Sequence, residues 1–397
     1  MARGVKDEPY SEESQELDVE EFRAKFESCL SDLEDPRVAD NQTYSFEGII
    51  GSTLCAVISG ANTISDIHHY AVSKEKWLRE WLDLSSGIPS YTAFWWVLVR
   101  LDPAECEQLF RNWIRTLDPV DLKEIIALDG KRVRGASKKA SKSVLHMVSA
   151  WSSARGLVLG QLKTDAKSNE ITAIPKLIKS LDISGAVLTL DAMGCQKTIL
   201  SEIAEQGGDY VVGLKGNQGS THGEISNYFE QAYDANFDGV AVEHKRSQDK
   251  GHGRIEQRDV YATNKIDWLP MKDEWPNLQS VVMIDNRRTL NGRTSREVRY
   301  YLTSLAPDAA RLAHVIRCHW EIENKVHWVL DITFQEDGCQ VSTGHAAENF
   351  SILRRLSLNI LRLDADKKTS LQAKRKKAGW NDAYLARLLN SAAINSF

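Results

Sequence analysis

The spacing of apolar residues changes period twice along this chain. From about Glu20 to Leu117 apolar residues recur at helical intervals, with Asp35-Pro36 as an early break. "FEGIIGSTLCAVISGANTISDIHHYA" predicts an apolar helix, a polar turn and a second helix. "IPSYTAFWWVLVRLDPAECEQLFRNWIRTL" predicts a capped helix and another with Pro103 near its start. At Leu122 the pattern shifts to short apolar runs. "EIIALDGKRV", "SVLHMVSAWSS" and "GLVLGQLKT" predict three strands, with Gly156 at the turn between the last two, as in an antiparallel meander. "NEITAIPKLIKSLD" reads as a helix, "GAVLTLDAMG" as a strand ending in Asp, "CQKTILSEIAEQG" as a helix and "DYVVGLKGNQ" as a strand. Residues 238–304 then alternate between Gly, Pro and Asn turns, predicting four more strands, and from Asp308 the chain is helical again.

Three consecutive strands followed by α-β-α-β is the element order of the ribonuclease-H-like fold, an analogy from order alone. The expected class is therefore α/β, with a mixed sheet. Residues 1–20 form an acidic tail, 21–120 an α-helical N-terminal domain, and 121–365 the main domain. A β-rich insertion occupies about 235–304 of that domain, and 366–397 is a basic helical C-terminal segment.

Composition excludes some classes. No apolar run approaches the ~18 residues of a membrane-spanning helix. Met1–Glu20 is polar and acidic, unlike a secretory signal. The six cysteines, at 29, 55, 106, 195, 318 and 339, form no C-x2-C pair, which argues for reduced thiols in a cytoplasmic protein. The net charge of −5 argues against a nucleic-acid partner until it is divided along the chain. Residues 1–48 hold 5 Lys/Arg and 14 Asp/Glu, so the other 349 carry a net +4. From Ser351 onward there are 10 Lys/Arg and 3 Asp/Glu. DNA affinity would then come from local patches.

Asp129 and Asp191 stand at the ends of apolar strands, where a carboxylate can project from a sheet edge into a cleft. An Asx turn or a helix N-cap accounts for either one alone. In "VIRCHWEIENKVHWVLDITFQED", Val315, Ile322, Val326, Val329 and Leu330 form one apolar arc. His319, Glu323, His327 and Asp331 follow at four-residue steps beside it. The stripe admits three readings: His–Glu pairing on a packed helix, a zinc site of two His and one Glu, or a third carboxylate beside Asp129 and Asp191. Hard Mg²⁺ ions favour such oxygen ligands, and two of them about 4 Å apart suit in-line phosphoryl displacement.

The segments "IIALDGKRVRGA", "KSNEITAIPKLI", "LTLDAMGCQKTI", "GGDYVVGLKGNQ", "IRCHWEIENKVHWVLDITFQED" and "ENFSILRRLSLNILR" together closely resemble the H-repeat-associated transposases of bacterial insertion sequences. "SDLEDPRV…GIPSYTAFWWVLVRLDP" resembles the helical domain that precedes the catalytic domain in that family. The resemblance spans roughly residues 25–365 and implies a DDE transposase with a ribonuclease-H-like core. It places Asp129, Asp191 and Glu323 as the three catalytic acids, holding two Mg²⁺ ions, with Mn²⁺ as a substitute. It implies cleavage at the element's ends and transfer of the freed 3′-hydroxyls into target DNA. Double-stranded DNA, as terminal inverted repeats and as target, would be the partner. The protein would be a homo-oligomer when synapsed, associated with the bacterial nucleoid and not with a membrane. Related enzymes place Tyr, Arg and Lys around the third acid; here those positions hold Ile316, His319 and Leu330. A catalytically inactive DNA-binding copy, or a nuclease that cleaves without joining, would be the rival readings.

Further residues suit DNA contact, each beside a plainer reading. Lys131, Arg132 and Arg134 follow the first acid, where they could hold phosphates or form a solvated turn. Lys215, Asn217 and Gln218 are expected at a polar site edge, and His319 belongs to the family's own pattern. Arg254 and Arg258 share one strand face with Glu256. Lys374, Arg375, Lys376 and Lys377 form a basic run suited to backbone contact. Trp320 and Trp328 flank the third acid, where they could stack on an unpaired base, but core packing is the expected reading.

Overall fold

The computed structural model describes residues 19–30, 33–38, 42–116, 124–135, 145–164, 170–251 and 253–394, so the acidic tail lies outside the described residues up to position 18. Six helices come first: α1 (Val19–Leu30), α2 (Phe46–Ser59), α3 (Ile64–Ser73), α4 (Glu75–Leu78), α5 (Tyr91–Arg100) and α6 (Pro103–Thr116). Local capping explains several of their starts. The Ser45 hydroxyl accepts from the Gly48 N–H at α2, and Ser90 accepts from Ala93 at α5. Thr63 and Asp66 form a reciprocal capping box at α3. Helix α2 stops at Gly60, whose φ of 124° suits a residue without Cβ.

The strands are β1 (Ile125–Val133), β2 (Leu145–Ser152), β3 (Leu157–Lys163), β4 (Val187–Leu190), β5 (Asp209–Leu214), β6 (Glu243–Gly251), β7 (Arg254–Thr263), β8 (Ser280–Leu290) and β9 (Arg293–Thr303). Between them run α7 (Glu170–Lys179), α8 (Lys197–Glu205) and α9 (Gly219–Asp234). After them come α10 (Ala309–His319), α11 (Trp328–Ile332), α12 (Ala346–Leu363), α13 (Leu371–Trp380) and α14 (Asp382–Ile394). All nine strands belong to one sheet of order β3-β2-β1-β4-β5-β9-β8-β7-β6. Strands β1 to β3 are antiparallel, while β4 and β5 run parallel to β1. Strand β9 pairs antiparallel with β5, so the alternating stretch extends the same sheet.

Burial follows the apolar pattern. The four residues of β4, VLTL, are all buried, as a strand covered on both faces requires. Helix α10 lies across one face, with Val187, Val211, Val282 and Leu312 in a shared cluster. Helices α7, α8 and α12 contribute to the cluster on the other face, which also takes in α2, α5 and α6. Helix α12 is buried nearly all round. Two of its asparagines bond to backbone: Asn349 donates to the Leu98 and Leu101 carbonyls, and Asn359 to that of Val158. Among the described residues no single helix is long and apolar enough to cross a membrane. The five cysteines whose side chains are described are free and buried.

Candidate active site

Register brings the two acids together, although only Asp191 closes its strand: Asp129 stands within β1, which runs on through Val133 because β2 keeps pairing with it, and not at the strand end expected from the apolar run. Leu128 of β1 lies opposite Leu190 of the parallel strand β4, so Asp129 and Asp191 follow side by side. Asp191 also caps a short 3-10 turn, its Oδ1 accepting from the N–H groups of Met193 at 2.8 Å and Gly194 at 3.2 Å. The Asx-turn reading and the site reading therefore hold for the same carboxylate. Asn217 and Gln218 fix this turn by donating to the carbonyls of Ala192 at 2.7 Å and Cys195 at 2.8 Å. Gly130 has no room for a side chain: a Cβ there would stand 2.0 Å from Glu170 Oε1. That carboxylate is held 3.0 Å from His146 Nε2.

The third acid arrives on a distorted helix. Helix α10 ends at His319, and residues Glu323–His327 wind as a π-helical turn before α11. The Trp328 N–H donates to the Glu323 carbonyl, five residues back. The ionisable stripe consequently serves several partners. His319 Nδ1 lies 3.1 Å from Thr189 Oγ1 on β4. His327 Nδ1 lies 3.1 Å from Glu323 Oε2 and 3.5 Å from Asp129 Oδ2. Asp331 lies 2.6 Å from Lys131 Nζ. The donor atoms of Asp129, Glu323 and His327 fall within 4.8 Å of one another. Asp191 is not in that group but lines the same cleft of about 320 Å³, together with Glu323, Lys215 and His319. His319 is likewise outside the group, so the two-histidine zinc arrangement is not assembled.

The electrostatics fit a cation. Burial pushes the Asp129 carboxyl up to about 6, and the charges of Glu170 and Asp191 add to the rise, against the pull of His327. The hydrogen bond from His327 holds Glu323 below the usual carboxylate range. Burial lowers His319. Carboxylates crowded around one cleft repel each other, and a divalent ion with oxygen ligands relieves that repulsion. Asp129 and Glu323 would supply such oxygens, with the Asp191 carboxylate on the same cleft.

The remaining predicted residues divide. Lys131 is 6% exposed and ion-paired to Asp331, Glu336 at 3.4 Å and Asp337 at 3.2 Å. Burial opposes its charge, but the three carboxylates keep its pKa above normal. Arg132 and Arg134 are exposed beside a second opening, which Glu323 and His327 also line. Lys215 is exposed at the cleft. Arg254 pairs with Glu256, and Arg258 with Glu256 and Asp249. The basic run does not form one solvent-facing surface. Lys374 donates to the carbonyls of Leu361 and Asp364, and Arg375 to those of Val57, Ala61 and Thr333. Lys376 is exposed, and Lys377 is half-buried over the Tyr384 ring.

One expectation is overturned outright. Trp320 and Trp328 are 47% and 58% exposed, not core residues. Ile322, Val326, Val329 and Leu330 already fill the buried side, leaving the tryptophans on the opposite one. Sequence reasoning placed His327 beside Glu323 without its contact to Asp129, and passed over Glu170 as a neighbouring acid. The four-residue step from Glu323 to His327 was the signal for that pairing, and "KSNEITAIPKLI" held Glu170.

Comparison with known proteins places the chain in a family. A family model described as Transposase DDE domain matches residues 121–360, and a DDE_Tnp_1-associated model matches residues 27–114. The chain is 37% identical to "Putative transposase YncI" of Escherichia coli O157:H7, over 93% of this chain and 95% of that protein. It is 36% identical to "H repeat-associated putative transposase YhhI" of Escherichia coli strain K12, over 92% and 98% respectively. A solved piggyBac transposase synaptic complex with hairpin DNA aligns over 96% of this chain and 82% of that one, at 10% identity and a TM-score of 0.42. The chain belongs to the DDE transposase family.

Proposed function

We propose that this protein is the DNA transposase of a bacterial insertion sequence, cleaving at the element's ends and joining the freed 3′-hydroxyls to target DNA. The observation that carries the reading is the meeting of Asp129, Asp191 and Glu323 at one cleft, from two parallel strands and a separate helix. The strand order β3-β2-β1-β4-β5, with β1 to β3 antiparallel, supports a ribonuclease-H-like core. The helices before β1 and the strands β6 to β9 correspond in this reading to an N-terminal domain and an insertion.

Asp129, Asp191 and Glu323 bind the divalent ions. Mg²⁺, or Mn²⁺ in its place, would supply charge neutralisation at the scissile phosphate and would lower the pKa of the attacking water when held by these carboxylates. His327 orients Glu323 through its ring nitrogen, and Asn217 and Gln218 hold the turn under Asp191. Arg132, Arg134 and Lys215 stand where they can meet phosphates flanking the reacting one. Duplex DNA is the partner, two element ends are synapsed by an oligomer, and the reaction belongs to the bacterial nucleoid. The test uses purified full-length protein, labelled inverted-repeat DNA and Mg²⁺ or Mn²⁺. Cleaved and joined products are expected from the wild type and neither from Asp129→Asn. Cleavage without joining would replace the transposase by a nuclease, and absence of both would reject the reading.

A further inference from the structure

The far end of the sheet carries a second arrangement of charge. Residues 243–260 and 284–299 hold ten Lys/Arg and six Asp/Glu. Strand register sorts them by face. On the face shared with Tyr233 of α9, one cross-strand row is Arg246, Asp259, Asp285 and Val298. The next row outward is Gln248, Gln257, Arg287 and Arg296. Arg287 and Arg296 are direct cross-strand partners, a placement in which like charges repel.

Buried carboxylates offset that repulsion and aim the cations. Asp285, 1% exposed, accepts from Arg296 Nε at 3.0 Å through Oδ1 and from Arg287 Nη2 at 3.2 Å through Oδ2. Asp259, also buried, accepts from Arg246 Nε at 2.6 Å and Gln257 Nε2 at 2.8 Å, and His244 Nε2 lies 2.8 Å away. Arg287 donates to the Tyr233 hydroxyl at 2.6 Å, and the Arg296 guanidinium stands 5.0 Å over that ring. Arg246 and Arg296 engage the aspartates through Nε, which leaves their terminal nitrogens out of those bonds, and the two side chains are 62% and 48% exposed. Planar guanidinium forks held in this way match phosphate oxygens. The opposite face differs, because Arg254 and Arg258 converge on Glu256, with Asp249 beside them at the surface.

We propose that Arg246, Arg287 and Arg296 form a phosphate-binding rack for duplex DNA, outside the cleft of the three acids, gripping the backbone without reading its sequence. The proposal rests on DNA being the substrate. It is tested with the full-length protein, a fluorescein-labelled duplex of arbitrary sequence and EDTA, by fluorescence anisotropy over a range of salt. Arg287→Gln/Arg296→Gln should weaken binding roughly tenfold and lower the slope of log K against log salt by about two. Arg246→Gln leaves Asp285 and both its arginines intact and should weaken binding about threefold. It carries the test if circular dichroism shows the double variant unfolded. Arg254→Gln/Arg258→Gln, the same loss of charge on the other face, should stay within about twofold of wild type. Equal losses from the two faces, or wild-type binding by folded rack variants, overturn the rack. A wild-type protein that binds no duplex removes the DNA reading itself.

Discussion

Near β1 and β4, Asp129, Lys131 and Glu336 belong to a packed half of the protein, where each charge answers another across elements. Near β6 and β7, Arg246, Asp249, Arg254 and Arg258 sit on strands that reach into water. Both regions are built from ion pairs in the same sheet. In the first the partners lie far apart in sequence, as with Lys131 and Glu336, and burial makes each indispensable to the other. In the second, Arg254 and Arg258 pair with Glu256 on their own strand and Arg258 with Asp249 on the next, and solvent screens these pairs. Charge changes should therefore cost fold and chemistry at one end of the sheet, and little beyond local contact at the other.

The largest expected effect tests the packed end directly. Glu323→Gln should lower metal-dependent cleavage of inverted-repeat DNA about a thousandfold or more, with an unchanged melting temperature, because the Glu323 side chain faces solvent and among the described residues pairs with His327. A modest loss would mean that another group completes the site. Arg355→Met should destabilise the protein by about 3 kcal/mol in denaturant titration, since it takes from the fully buried Glu336 its fully buried cationic partner and leaves Lys131 and Ser351 to compensate. Burial would raise the Glu336 carboxyl, but Arg355, Arg354 and Lys131 hold it down at about 2. Its contribution is therefore present above the ordinary carboxylate pKa and is lost as pH falls toward 2.

Glu107 of α6 gives the opposite sign. Burial pushes its carboxyl up to about 7 despite hydrogen bonds from the Gln161 backbone and side chain. The folded state then holds a proton that the unfolded chain has released, so stability is fullest in mild acid and declines as pH rises toward 7. The decline should be about 3 kcal/mol, read by urea unfolding at a series of pH values, and Glu107→Gln should flatten it. His327→Gln should raise the Mn²⁺ concentration needed for half-maximal cleavage by about 10- to 100-fold, the usual cost of losing a residue that orients a ligand. The smallest effect belongs to the exposed end. Arg258→Gln should move unfolding free energy by no more than about 1 kcal/mol, and a larger loss would erase the contrast between the two ends.

The contrast also explains which features were legible. Strand positions followed from apolar runs such as IIAL and VLTL, and the alternation over residues 243–303 marked all four outer strands. The two acids were visible because Asp closes an apolar run in each case, although β1 continues past Asp129. His327 was legible as a partner of Glu323 at a four-residue step, but its contact to Asp129 and the π-helical turn that carries it were not, since a helix is read at one period. The run Lys374–Lys377 misled because composition suggests solvent, whereas Arg375 fills an inner position by donating to carbonyls of α2 and of the segment after it, beside the Phe334 ring. Arg354 and Arg355, buried in the middle of α12, carry no sequence mark that separates them from an exposed basic pair.

The direct pairing of β9 with β5 makes the sheet a ruler. Four inter-strand steps of about 4.8 Å separate β5 from β6, all of them spanned by backbone hydrogen bonds. Such a lattice is stiff compared with a linker, so the separation between the acidic cleft and the outer strands is set at folding. A duplex that touched both would have to adapt its own path to that fixed span, and a sequence that bends cheaply would be favoured without a single base being read.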